Sequence, residues 1–170
     1  MIAYHGKAAI KEEYLARVRA HRAADELRQA YGYWRNGRGC AVGCTIHSEY
    51  HSSYESELGI PKEIAYLEDT IFERLPRREA MAWPEAFLEA IPIGADLSLV
   101  WPRFAVWLLV DGTDGVLQYV VTNERREAIQ QVADLYQRLI DDGIVNTGEW
   151  MHAANAAAPA AANAANPAAA

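Results

Sequence analysis

Between Gly59 and Pro76 the apolar residues Ile60, Ile64, Leu67, Ile71, Phe72 and Leu75 recur mostly at intervals of three and four. That spacing places side chains on one face of an α-helix. Pro61 suits a first helical turn and Pro76 stops the next one, so the stripe predicts one amphipathic helix. The same punctuation cuts much of the chain into pieces of helical length. Lys7 to Tyr31 has neither Pro nor Gly, and Ile10, Tyr14, Val18, His21 and Leu27 mark its inward face. Trp83-Pro84 opens a short helix with Phe87, Leu88 and Ile91 inward, ended by Pro92 and Gly94. Asp96 or Ser98 is placed to cap a helix through Phe104, Trp107 and Leu108 to Val110. A last one runs from Asn123 through Ile129, Val132, Tyr136, Leu139 and Ile140 to Asp141-Asp142-Gly143.

The remaining segments are less regular. Gly32, Asn36, Gly37 and Gly39 punctuate the chain before a further helix over Cys40–His51, whose Gly43, Thr45 and Ile46 are indifferent helix formers. The polar run Ser52–Glu57 reads as loop. Val116–Val121 is β-branched and aromatic, but a lone strand has no partner, so it reads as buried and irregular or helical. The expected fold is an all-α, single-domain irregular or orthogonal bundle of about five to seven helices over residues 1–150. Residues 153–170 contain only Ala, Asn and Pro, which offers nothing large to bury. A disordered tail over residues 151–170 is therefore expected.

Composition narrows the function classes. The chain has 170 residues and a formal net charge of −7, which opposes broad binding to phosphate backbones, so no nucleic-acid partner is expected. The longest apolar stretch, Leu97–Val110, is interrupted by Trp101-Pro102-Arg103 and is too short to span a bilayer. Met1–Lys11 lacks a basic-then-apolar segment, and a reducing cytoplasm is the expected setting, with both thiols free or metal-bound. No Gly-rich phosphate loop with a following Lys-Ser or Lys-Thr is present, and no Gly-x-Ser-x-Gly.

One constellation can carry chemistry. Both cysteines and two of the five histidines fall in Gly39–His51. On a continuous helix, Cys40, Cys44, His47 and His51 would lie within an arc of roughly 60°. Thiolate and imidazole are preferred zinc donors and compete well for iron. Cys40 and His51 would stand about 16 Å apart along the axis, so one ion can take three consecutive members at most. Cys44, His47 and His51, joined by His21 from the first helix, make the most natural set. Glu49, Glu55 and Glu57 lie near enough in sequence to complete a shell, although a run this polar reads first as solvated loop acids. The alternative uses of the segment are tight helix packing by its small residues and thiol redox chemistry at Cys40. The five tryptophans and nine tyrosines also suit a helical interaction module, such as a homo-oligomer without cofactor.

Two resemblances bear on this segment. Cysteines followed by a histidine resemble the redox motif of the all-helical alkylhydroperoxidase and carboxymuconolactone decarboxylase group. Here three residues separate the cysteines rather than two, and His47 follows after two rather than three, so no roles transfer. Tyr33-Trp34, Gly37–Ser48, Tyr54-Glu55, Glu57–Pro61 and Leu67-Glu68-Asp69 resemble the core of a family of uncharacterised bacterial proteins, over roughly residues 10–140. That resemblance implies a bacterial or phage origin and a shared fold, and no particular activity.

Overall fold

The computed structural model describes the backbone of residues 1–164 and the side chains of residues 1–155. The described residues are predominantly helical, with one two-strand ribbon. They divide into two compact units, one over Met1–Ser98 and one from Leu99 onward.

The first unit begins with a 3-10 turn, Ala3–Gly6, and helix α1, Ala8–Ala23. Helix α1 ends eight residues before the Pro- and Gly-free stretch does. Ala24 caps it and Asp25 takes a left-handed φ of 51°. The next residues instead pair with the segment before the cysteines: Leu27 forms a parallel bridge with Gly39, Arg28 N–H donates to Gly39 O at 2.8 Å and Gly39 N–H donates to Glu26 O at 3.2 Å. Tertiary pairing overrides the helix propensity of Ala24–Ala30 here. Strands β1, Trp34–Arg35, and β2, Arg38–Gly39, are antiparallel, with Trp34 opposite Gly39 and Arg35 opposite Arg38. Asn36 and Gly37 join them, both at positive φ, as an Asn-Gly hairpin turn requires.

Helix α2 spans only Ala41–Ile46, and all six of its residues are buried. It packs against α1 and against α3, Ser53–Leu58, α4, Lys62–Arg74, and α6, Trp83–Ala90. The polar run expected to be a loop thus includes α3, whose buried Tyr54 and Leu58 sit one turn apart. Glycine at 43 lets α2 approach the chain before β1. A Cβ there would stand 1.4 Å from Tyr33 O, and one at Gly39 would stand 1.9 Å from the same atom. The stripe that began the sequence reading is α4, with Ile64, Ala65, Glu68 and Phe72 buried. A short α5, Arg77–Ala80, follows Pro76.

The second unit holds α7, Val100–Val110, α8, Asn123–Asp142, and α9, Thr147–Ala164. Leu99 is the residue before α7, with no side-chain cap; Asp96 Oδ1 accepts from Ser98 instead. Val116–Tyr119 is a 3-10 turn with no buried residue, not the buried segment expected there, and on α7 Trp107 is 44% exposed. Gly143 ends α8 at a φ of 75°. Helix α9 covers the first part of the alanine-rich segment, and Ala153 is buried; residues 165–170 of the expected tail lie outside the described residues. No described helix is long and apolar enough to cross a membrane.

Candidate functional site

Helix α2 does not extend to His51. His47 takes a left-handed conformation, φ 52° and ψ 38°, and donates its N–H to Gly43 O at 2.8 Å, which closes the helix after Ile46. Cys40 sits outside the other end as its N-cap. The common face expected of Cys40, Cys44, His47 and His51 therefore does not exist, and the four residues fall into separate places.

His21 and His47 come together. His21 is in the last turn of α1, and its Nε2 lies 2.7 Å from His47 Nε2. On the far side of the ring, His21 Nδ1 lies 2.6 Å from Glu26 Oε2. A carboxylate only accepts, so it holds a proton on Nδ1 and leaves His21 Nε2 as a lone pair toward His47. Trp34 stacks on His47 with ring centroids 4.3 Å apart and stands edge-on to His21 at 5.2 Å. Burial lowers the His47 pKa, and the charges of Arg17 and His21 lower it further. Arg17 is fixed nearby, donating to Thr45 O at 2.9 Å.

The two thiols and His51 are elsewhere. Cys44 Sγ faces Gly39 O at 3.4 Å, and burial pushes its thiol up to about 12. Cys40 Sγ accepts from Gly43 N–H at 3.5 Å; burial raises its pKa above the ordinary thiol range and the Asp69 carboxylate beside it adds to the effect. Both are free and buried. His51 is 3% exposed, with Tyr66 stacked on it at 4.0 Å and Tyr33 edge-on at 4.8 Å. Its Nε2 lies 3.7 Å from Asp69 Oδ2, beyond hydrogen-bond length, and Nε2 and Asp69 Oδ1 are both without a partner. Next to Asp69, buried Glu68 accepts from Tyr54 O–H at 2.6 Å. Among the described residues no group of three or more His, Cys, Asp and Glu side chains is arranged to hold a metal ion.

Of the loop acids, Glu57 accepts from Tyr14 O–H at 2.6 Å and Glu55 from Lys62 N–H at 3.2 Å. Glu26, Trp34 and Asp69 do what the sequence reading assigned to none of them. Glu26 was hidden by the assumption that α1 continues, because a helical residue five after His21 points away from it. Comparison with protein-family models, curated proteins and solved structures finds no match.

Proposed function

We propose that the protein binds a divalent transition-metal ion, zinc being the reference case, through Nε2 of His21 and Nε2 of His47. The observation that carries this reading is the pair of facing nitrogens, with the outer nitrogen of His21 tied to Glu26. Carboxylate–histidine–metal chains use this arrangement to fix the ring and raise the basicity of the ligating nitrogen. With metal–nitrogen bonds of about 2.0 to 2.1 Å, two imidazoles on one tetrahedral ion stand roughly 3.3 Å apart, so the rings must open by about half an ångström and turn until both nitrogens point at the ion, which takes the place of the proton that His47 Nε2 shares with His21. The depressed pKa of His47 favours the neutral form that ligates. Two protein ligands leave the other coordination positions to water or to a small oxygen or nitrogen ligand. Cys40, Cys44 and His51 take no part.

A second reading, self-association without a cofactor, is favoured by the apolar character of α7, whose Trp107 and Leu108 are 44% and 37% exposed. Elemental analysis of tag-free protein, purified without chelator and reconstituted with zinc, tests the first reading. Near-stoichiometric zinc in the wild type and in Cys44→Ser, and none in His47→Ala, is the expected result. Metal-free wild type after reconstitution sinks it, and a mass that doubles with concentration then supports the second.

A further inference from the structure

The Asn36-Gly37 turn fixes the register of the β1–β2 ribbon, and that register sets Arg35 directly opposite Arg38. Opposed residues of an antiparallel pair share a face, with Cβ atoms about 4.5 to 5.5 Å apart, and like charges so placed repel. Both arginines are exposed, and among the described residues neither comes within ion-pair distance of a carboxylate. The guanidinium of Arg35 lies over the Tyr31 ring at 5.0 Å, which steadies it without using its N–H donors.

The surroundings of the pair are positive as well. Arg28 donates through both arms to Asp25 at 3.0 Å, and Arg77 approaches the same carboxylate at 3.4 Å. Arg28 first, and then Arg77 and Arg38, hold the Asp25 carboxyl below the usual carboxylate range, so Arg38 stands in its field but beyond pairing distance. The other acids close by are committed elsewhere, Glu26 to the His21 ring and Glu73 to the Ala30 N–H. In a chain of net charge −7 this is a local excess of positive charge, and its two opposed members have no counter-ion.

We infer that Arg35 and Arg38 form a clamp for a phosphomonoester dianion, as carried by a phosphorylated side chain or a small phosphate ester. A guanidinium presents a rigid fork of N–H donors that pairs with two oxygens at once. Two forks side by side ask for more than the paired oxygens and single charge of a carboxylate. A phosphomonoester has a third terminal oxygen and close to two charges at neutral pH, so it takes a fork from each strand and removes the repulsion across the ladder. A phosphodiester carries one charge and fills one fork, and a chain this acidic opposes following a nucleic-acid backbone.

Nuclear magnetic resonance titration tests this on the whole chain at low ionic strength, dialysed free of metal so that no ion on the imidazole pair takes part. The arginine Nε–H signals are read against acetyl-Gly-phosphoserine-Gly-amide, its Glu analogue, inorganic phosphate and a thymidine dinucleotide. Saturable shifts of Arg35 and Arg38 with the phosphopeptide are expected, with a dissociation constant on the order of millimolar for so small a probe. The Glu analogue and the dinucleotide should bind about fivefold more weakly or worse. Inorganic phosphate binding as tightly as the peptide assigns the clamp to small phosphate compounds, and a tighter peptide assigns it to a phosphorylated polypeptide. Arg38→Gln should weaken binding by about fivefold, and Arg35→Lys, which keeps the charge and loses the fork, by about threefold, with dispersed spectra as the check on folding. Absence of saturation, unchanged binding in Arg38→Gln, or equal binding of the Glu analogue or the dinucleotide would each overturn the inference.

Discussion

A Cβ on Gly43 would stand 1.4 Å from the carbonyl oxygen of Tyr33, so α2 and the strand-forming segment touch backbone to backbone. The obstruction is main chain on both sides and cannot turn away. Gly43→Ala is expected to lose about 3 kcal/mol or more of stability, or to fail to fold, whereas Gly37→Ala, with open space at its Cβ, should lose only about 1 kcal/mol for its positive φ. Thermal denaturation of the two variants checks the difference.

Glu68 makes stability depend on pH. Burial raises its pKa to about 8, with the Tyr54 hydrogen bond opposing the shift and Asp69 reinforcing it. In the unfolded chain the carboxyl titrates near 4.3. Between these values the folded state holds the extra proton, so stability is greatest below the unfolded pKa and falls as pH rises through the folded one. At about 1.4 kcal/mol per unit, the loss from pH 5 to pH 8 is on the order of 4 kcal/mol. Urea denaturation across that range should show it, and Glu68→Gln should flatten the profile; a flat wild-type profile would contradict a neutral Glu68.

Both thiols should resist modification. Cys40 and Cys44 are buried and their pKa values are raised, so little thiolate forms at neutral pH. A thiol-reactive disulfide added at pH 7 should label them only at the rate of unfolding, and both at once in denaturant. Fast labelling of Cys40 in the native protein would restore the thiol-redox reading.

Trp34 provides an optical report on the imidazole pair. It stacks on His47 at 4.3 Å, within reach of quenching by a paramagnetic ion on Nε2. Added nickel or copper should quench part of the tryptophan emission saturably. Trp34→Phe should abolish that component and keep the metal, while His21→Ala should abolish both. Quenching that survives in His21→Ala would place the ion elsewhere.

How much was legible in the sequence follows from how local each signal is. Helices α4, α6 and α8 were visible in full because their stripes and their Pro or Gly stops are encoded within the segment. The end of α1 was not, since the pairing of Leu27 with Gly39 joins residues a dozen positions apart and no local signal announces it. The hairpin did leave a trace: Asn36-Gly37 is a strong turn dipeptide, yet strands of two residues show no alternation to confirm it. The Cys and His residues were found by their density, but their grouping was misread, because a single left-handed residue, His47, redirects everything after it. Where α1 meets α2, His21 and His47 stand together; their partners Glu26 and Trp34 come from the segment that the helical reading had spent on α1 or on punctuation.

The stretch of residues 24–40 leaves α1 and returns to α2 by pairing its own two ends, Leu27 with Gly39. It delivers both the carboxylate behind His21 and the indole over His47, while the imidazoles stand at the C-terminal ends of α1 and α2. The two imidazoles and the groups that orient them are thereby on different pieces of chain. This loop is a cassette: exchanging Glu26 and Trp34 within it should retune the affinity and selectivity of the imidazole pair while leaving the six-residue pillar α2 and its glycine contacts as they are.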